Sequence, residues 1–172
     1  DWSSDVCSSD LAQSISGTAS IVAVDVDTGD LDADGDLDVV SVGLFQRDVG
    51  IGSAGDVMWY ENPGAPLVGS AWTERGILRA NRNDDGSYSG LYGPYRVRLG
   101  DIDSDGDLDV VVGTLATVDN AGAVAGTGVY YFDNIGTASA PEFRGPFPID
   151  PNVAVDALAL AHLTGDGSLE II

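Results

Sequence analysis

One acidic pattern occurs twice in the chain, and it constrains the fold more than any other feature. Residues 30–40 read Asp-Leu-Asp-Ala-Asp-Gly-Asp-Leu-Asp-Val-Val, and residues 101–111 read Asp-Ile-Asp-Ser-Asp-Gly-Asp-Leu-Asp-Val-Val. Acids at alternate positions converge on one point when the backbone wraps around it, and a glycine at the centre supplies the sharp turn. The pattern therefore predicts two copies of an acidic metal-binding loop.

In each copy, four carboxylates and one backbone carbonyl would surround the ion. The predicted ligands are the side chains of Asp30, Asp32, Asp34 and Asp38 with the carbonyl of Asp36, and the side chains of Asp101, Asp103, Asp105 and Asp109 with the carbonyl of Asp107. An all-oxygen set suits Ca²⁺, whereas zinc prefers nitrogen and sulfur. Octahedral Mg²⁺ fits a flexible anionic loop less well. We therefore expect Ca²⁺ as the bound ion.

A solvated acidic loop without metal is the alternative interpretation. Two carboxylates about 5 Å apart repel each other by roughly 3 kcal/mol at an effective dielectric constant of about 20. A compact loop that holds several of them would open unless a cation lay among them. Because the same spacing recurs with glycine at the same place, the pattern favours the metal site.

The residues after each loop distinguish it from an EF-hand. An EF-hand requires Glu six residues after the glycine, where this chain has Ser41 and Val112. Residues 37–44 and 108–115 are rich in β-branched side chains, which favour strands over the helix that follows an EF-hand loop. Dockerin-like modules are excluded for the same reason.

Predicted strands separated by turn-rich segments follow the same order twice. They cover residues 21–26, 37–44, 57–61 and 71–78, and then 95–99, 108–115, 128–132 and 142–147. Pro146 would confine the last strand to a sheet edge. Asp30 and Asp101 are 71 residues apart (101 − 30), and Asn62 and Asn134 are 72 apart (134 − 62). Four-stranded units at a regular interval predict an all-β repeat protein, a fragment of a β-propeller.

A third unit begins near residue 153 and carries a weaker loop. His162 and Thr164 replace the first two acids there, so weak Ca²⁺ binding or none is expected. The candidate ligands of this loop are Thr164, Asp166, Ser168 and Glu170. His162 is the only histidine in the chain. It is therefore not expected to bind zinc or to act in catalysis.

The two ends of the chain are expected to be truncations. Residues 1–11 fit nothing that follows and resemble the translation of a sequencing adapter, a contaminant of metagenomic reading frames. Cys7, the only cysteine, belongs to that stretch, and residues 169–172 end inside an apolar run that reads as a strand. We therefore assign residues 12–80 to a first blade, 81–149 to a second and 150–172 to the start of a third.

These motifs resemble the FG-GAP or VCBS repeat family. The resemblance lies in the acidic loop followed by Val-Val and in an aromatic strand closed by Asn-x-Gly, at residues 59–64 and 131–136. The family includes the propeller of integrin α subunits and many large secreted bacterial proteins. The resemblance covers residues 21–172 and implies that each calcium loop joins the first two strands of a blade. It also implies that about seven blades close the ring, roughly two and a half of them in this chain.

The charge balance excludes several kinds of partner. Seven Lys and Arg against 28 Asp and Glu give a net charge of -21, which disfavours nucleic acid and anionic membranes. No apolar run reaches the roughly 18 residues of a membrane helix, so membrane insertion is not expected. The remaining blades of a parent chain, and a protein or glycan ligand, are the expected partners.

Two functions remain open. The first is a calcium-stabilised binding or adhesion module of a secreted or surface bacterial protein. The second is the propeller portion of an extracellular polysaccharide lyase or hydrolase. Outside the acidic loops the sequence has no Ser/His/Asp set and no paired catalytic carboxylates, which favours binding.

Candidate ligand-binding residues lie in two polar segments, which the resemblance places on the face opposite the calcium loops. They are Arg47, Asp48, Arg79, Arg82, Tyr88 and Tyr92. Long polar loops carry binding residues more often than core strands do. The aromatic residues Trp59, Tyr60, Tyr131 and Phe132 are instead expected to pack between blades.

Overall fold

A computed structural model describes residues 21–45, 54–64, 72–79, 81–82, 88–89, 91–115, 117–118, 124–125, 127–137, 139–165 and 167–172. Within these ranges all of the regular structure is β-strand, arranged in several antiparallel sheets. The all-β prediction is therefore confirmed. No helix that could cross a membrane is found among these residues.

The first sheet is a meander in which each strand pairs with the next along the chain. Its strands are β1 (Ile21–Gly29), β2 (Asp38–Phe45), β3 (Ala54–Glu61) and β4 (Thr73–Leu78). A pair of two-residue strands follows, β5 (Asn81–Arg82) with β6 (Tyr88–Ser89), and then β7 (Leu91–Tyr92). β7 pairs with the start of β3, which makes this sheet five-stranded. No strand was predicted from the sequence between residues 79 and 94, where the structure has β5, β6 and β7, and β7 extends the first sheet.

The second sheet repeats the meander. It contains β8 (Pro94–Gly100), β9 (Asp109–Thr114), β12 (Gly128–Asn134) and β13 (Phe143–Asp150), with a short hairpin of β10 (Thr117–Val118) and β11 (Val124–Ala125) between β9 and β12. The spatial order β13-β12-β9-β8 places β13 at an edge. The edge position predicted from Pro146 is therefore confirmed. In the third unit β14 (Leu160–Ala161) pairs with β15 (Glu170–Ile171).

The second sheet is covered on both faces, and β9 shows this most clearly. Val110 and Val112 belong to a cluster with Val40 and Trp59 of the first sheet. Val111, between them, belongs to a second cluster with Val155 and Leu158 of the third unit. All three valines of β9 are fully buried. Its unbroken apolar run is what a strand with two buried faces requires, because successive side chains point to opposite faces.

Successive units approach each other in the same way. A Cβ added at Gly29 would lie 2.7 Å from Leu108 Cδ1 and 2.9 Å from Leu99 Cδ1 of the second sheet. At Gly100, 71 residues later (100 − 29), it would lie 2.8 Å from Leu160 Cδ1 and 3.3 Å from Leu169 Cδ1 of the third unit. In both units the first strand thus ends in a glycine, and two leucines of the following unit pack where a side chain would otherwise lie.

The aromatic strands contribute to this packing. Trp59, Tyr60 and Phe132 are buried. Trp59 meets Phe143 of the second sheet edge to face, with ring centroids 6.5 Å apart. Tyr131 is half-buried and packs on Phe147, with centroids 5.3 Å apart. Packing between neighbouring units is seen for Trp59 and Phe132, which belong to the cluster shared by the first two sheets, and for Tyr131, which packs against the cluster that contains Val155. Tyr60 is buried but belongs to neither cluster.

Candidate metal centre

The two acidic loops connect equivalent strands. The first lies between the end of β1 and the start of β2, and the second lies between β8 and β9. Gly35 and Gly106 have φ angles of 96° and 100°, so the turn predicted at the glycine is confirmed. Ala33 and Ser104 also have positive φ, 52° and 66°. These left-handed residues curl each loop back on itself, because they reverse the direction of the chain.

In the first loop, carboxylate oxygens accept hydrogen bonds from backbone N–H groups further along the loop. Asp30 accepts from Asp34 N through Oδ1 at 3.1 Å and from Gly35 N through Oδ2 at 3.0 Å. Asp32 Oδ1 accepts from Asp34 N at 3.3 Å, and Asp34 Oδ1 accepts from Asp36 N at 2.8 Å. These contacts turn the acidic side chains towards the inside of the loop.

The second loop makes the same contacts at every equivalent position. Asp101 accepts from Asp105 N and from Gly106 N, both at 3.1 Å. Asp103 Oδ1 accepts from Asp105 N at 3.2 Å, and Asp105 Oδ1 accepts from Asp107 N at 2.9 Å. The two loops therefore share one hydrogen-bond pattern as well as one sequence pattern.

The last acid of each loop is buried and holds the loop closed. Asp38, 1% exposed, accepts from Leu31 N at 3.2 Å and from Asn62 N at 2.8 Å. Its two carboxylate oxygens thus join the start of the loop to the end of β3. Asp109 does the same with Ile102 N at 2.9 Å and Asn134 N at 2.8 Å.

The structure brings most, but not all, of the predicted side-chain ligands together. Carboxylate oxygens of Asp30, Asp32 and Asp34 lie within 4.8 Å of one another, and so do those of Asp101, Asp103 and Asp109. Asp38 and Asp105 are outside these two groups, and Asp36 and Asp107 each donate a backbone N–H to the loop. Three convergent carboxylates at each site fit a hard cation that takes oxygen ligands.

The electrostatics of the loops favour a bound positive charge. Burial raises the pKa of Asp38 and of Asp109 above the ordinary value of 3.8, although backbone N–H groups oppose the rise. Desolvation, followed by the negative charges of Asp38 and Asp34, raises the pKa of Asp32. Desolvation and then the charge of Asp105 raise that of Asp103. Each raised pKa means that the ionised carboxylate is disfavoured when no cation is present.

Two further acids beside the loops were missed by the sequence analysis. Glu61 lies at the end of β3 next to Asn62, and its Oε2 is 2.5 Å from Arg75 Nη2. Asp133 lies at the equivalent point of β12, and its Oδ2 is 2.6 Å from Arg144 Nη2. The sequence signal was an acid before the closing asparagine in both units. Each loop thus has a neighbouring acid whose charge an arginine already offsets.

In the weaker third loop, the carboxylate of Glu170 accepts hydrogen bonds from within the loop. Glu170 accepts from Leu163 N at 2.7 Å and from Thr164 Oγ1 at 2.6 Å. His162 Nδ1 donates to the carbonyl of Ser168 at 2.7 Å. Asp166 lies outside the described residues. Within the described part of this loop, no convergent group of three acids is present.

The candidate ligand-binding residues fall partly outside the described ranges, as Arg47 and Asp48 do. Tyr92 pairs with Ala54, the first residue of β3, at the end of the sheet that lies away from the acidic loop. Arg79 follows β4 at that same end and forms a 3.1 Å ion pair with Glu74. The backbones of Arg82 and Tyr88 pair with each other in the small ladder of β5 and β6.

Comparisons of the chain with protein-family models, with curated proteins and with solved structures find no match in any of the three.

Proposed function

We propose that the chain is a calcium-binding segment of a β-propeller of the FG-GAP or VCBS type. In this proposal it belongs to a secreted or surface-attached bacterial protein and acts as a binding or adhesion module. The observation that carries the proposal is the duplicated loop, which repeats the same hydrogen bonds at every position and gathers three carboxylates at each site.

The donor set supports Ca²⁺ rather than a transition metal. Asp30, Asp32 and Asp34 would hold the first ion, and Asp101, Asp103 and Asp109 the second, because their oxygens already converge. The ion would supply positive charge where the carboxylates repel one another. The variable coordination geometry of Ca²⁺, with six to eight oxygen ligands, suits a set of carboxylates better than the strict octahedron of Mg²⁺ does.

The packing of the units supports the propeller. Leucines of the next unit pack against Gly29 and Gly100 in the same manner, so the contact between neighbouring units is repeated along the chain. The first unit also carries exposed apolar side chains at Val26, 53% exposed, and Leu37, 61% exposed. The equivalent residues 71 positions later are Val97, which is fully buried, and Leu108, which packs on Gly29. Exposed apolar residues at these positions are what a further blade would cover.

The proposed location outside the cell rests on the availability of calcium. If these loops have the dissociation constants of extracellular calcium modules, roughly 10⁻⁴ to 10⁻³ M, the calcium concentration of the cytosol is too low to occupy them. Calcium would then act as a structural ion at one end of each sheet. The opposite end, where Tyr92 and Arg79 lie, is left for a protein or glycan ligand.

Calorimetric titration of the metal-free chain with Ca²⁺ tests the proposal. We expect two sites, of which Asp32→Asn removes the first and Asp103→Asn removes the second. Asp156→Asn, an exposed acid outside both loops, is the matched control and leaves both sites intact. Absence of calcium binding by the wild-type chain would contradict the proposal.

Incubation with polysaccharides separates binding from catalysis. Retention of the chain on a glycan without release of products agrees with a binding module. Cleavage of the polysaccharide by the purified chain would instead establish the lyase or hydrolase alternative.

A further inference from the structure

Asn62 and Asn134 occupy the same place in the two sheets. Asn62 follows β3 directly and lies beside the first acidic loop. Asn134 ends β12 and lies beside the second loop. Each comes from a part of the chain more than twenty residues beyond the loop that it contacts. Each asparagine therefore links the loop to the third long strand of its sheet, whereas the loop itself connects only the first two.

Asn62 contacts the loop through backbone and side chain at once. Its backbone N–H donates to Asp38 Oδ1 at 2.8 Å, and its side-chain Nδ2 donates to the carbonyl of Leu37 at 3.0 Å. Its Oδ1 accepts from Gly64 N at 3.0 Å, which closes the turn after β3. One side chain thus holds the last residue of the loop and the following turn together.

Asn134 repeats this arrangement with one additional contact. Its backbone N–H donates to Asp109 Oδ1 at 2.8 Å, and its Nδ2 donates to the carbonyl of Leu108 at 3.4 Å. Its Oδ1 accepts from Gly136 N at 3.3 Å and from Glu142 N at 3.2 Å. Asn134 is 2% exposed, so water cannot replace these partners.

The chemistry explains why an amide stands at both positions. The amide of asparagine carries a donor and an acceptor side by side, so one side chain can donate to the loop carbonyl and accept from the turn N–H at the same time. Asp38 and Asp109 link the asparagine to the beginning of the loop. One carboxylate oxygen accepts from the asparagine N–H, and the other accepts from Leu31 N or Ile102 N. Both ends of each loop are therefore held before any ion binds.

We infer that Asn62 and Asn134 are positioning residues that set the cation affinity of the acidic loop in their own sheet. The inference rests on the proposed binding of Ca²⁺ by these loops. A loop that is already closed loses less conformational freedom when the ion binds. The smaller entropy cost makes the binding free energy more favourable and so raises the affinity. Mutation of a residue that hydrogen-bonds to a metal ligand typically lowers the metal affinity by about 10- to 100-fold.

The two sites should respond unequally. Asp109 is one of the three convergent carboxylates of the second site, whereas Asp38 is outside the convergent group of the first. The backbone N–H of Asn134 therefore orients a ligand, whereas that of Asn62 contacts an acid outside the convergent group. Alanine keeps both N–H groups but removes the side-chain contacts that fix their positions, three for Asn134 and two for Asn62. The loss of affinity should be greater for Asn134→Ala at the second site than for Asn62→Ala at the first.

Titration of the full chain with Ca²⁺ in single-site backgrounds tests the inference. Asp103→Asn leaves the first site to be measured alone, and Asp32→Asn leaves the second. We expect Asn62→Ala to weaken the first site by about tenfold or more and to leave the second unchanged. Asn134→Ala should do the reverse. Asn152→Ala is the control, because the contact of Asn152 is made by its backbone N–H.

A second variant keeps the test decisive if alanine disturbs folding. Asn62→Ser retains a hydroxyl that can accept from Gly64 N, but it is too short to reach the carbonyl of Leu37. It should weaken the first site as alanine does, while the intact second site shows that the chain is folded. Unchanged first-site affinity in both variants, or equal weakening of both sites, would overturn the inference. A wild-type chain that binds no Ca²⁺ would overturn the proposed function as well.

Discussion

The carboxylate of Asp27 in the first sheet accepts a hydrogen bond from the backbone N–H of Leu99 in the second sheet, at 2.9 Å. Two residues earlier, Asp25 Oδ2 accepts from Val97 N at 3.1 Å and from Arg98 Nη1 at 2.9 Å. Alternate residues of a strand lie on one side, so the two acids match two N–H groups at the edge of β8. The first strands of neighbouring sheets are thus joined through side chains rather than through a continuous backbone ladder.

Removal of the Asp27 carboxylate should destabilise the contact between these two sheets. Asp27→Ala leaves the partly buried N–H of Leu99 without its partner, which costs about 1 kcal/mol, the lower end of the range for a buried donor. Urea unfolding should show this loss of free energy of unfolding. Asp156→Ala is the control, because Asp156 contacts Arg96 through its backbone carbonyl. Equal stability of the two variants would contradict the role assigned to Asp27.

Chelation should lower the melting temperature of the chain. A ligand that binds only the native state stabilises it by about 2.7 kcal/mol at a hundredfold excess over Kd. For a chain of this length that corresponds to roughly 5–10 °C. Thermal unfolding in Ca²⁺ and in EDTA measures the difference. The double variant Asp32→Asn, Asp103→Asn should show no such difference, and a wild-type transition that EDTA leaves unmoved would rule out structural metal sites.

The strands and loops of this fold could be predicted because each rests on a local pattern. The β-branched runs located β2 and β9 to within a residue or two, and the acidic spacing located both loops. The contact of Asp38 with Asn62 could not be predicted, since it joins residues 24 apart (62 − 38). Spacing alone also does not show whether the last acid of a loop turns towards an ion or towards backbone N–H groups.

Two other features left no readable signal in the sequence. β7 contains two residues, too few to show the alternation by which a strand is recognised. Asp25 and Asp27 alternate with apolar residues, a pattern that also occurs when one face of an edge strand is solvated. Their contacts between the sheets could not be predicted, because they depend on where β8 lies.

Glycine at position 33 should stabilise the chain. Ala33 has a φ of 52°, a conformation that costs an L-residue with a Cβ roughly 1–2 kcal/mol. Ala33→Gly removes that cost but adds freedom to the unfolded chain, so a net gain of about 0.5–1 kcal/mol is expected. Ala23→Gly, in the extended β1, should destabilise by a similar amount. The same sign for both variants in urea unfolding would contradict the strain at Ala33.

The stability of the metal-free chain should fall as pH rises above the ordinary aspartate range. Burial raises the pKa of Asp38 and Asp109 above 3.8, so in that window the native state binds more protons than the unfolded state. Stability then decreases with pH. Their contribution is complete below 3.8 and is lost as pH rises through the raised pKa of each group. Repulsion within a chain of net charge -21 acts in the same direction.

Bound Ca²⁺ should reverse this dependence, because protons and the cation compete for the same carboxylates. Melting temperatures between about pH 4 and pH 7 should therefore fall with pH in EDTA and rise with pH in excess Ca²⁺. The double variant Asp38→Asn, Asp109→Asn keeps the size of both side chains and should flatten the fall in EDTA. A metal-free transition that rises with pH in the wild type, or one that this variant leaves equally steep, would show that these two carboxylates do not control the stability of the loops.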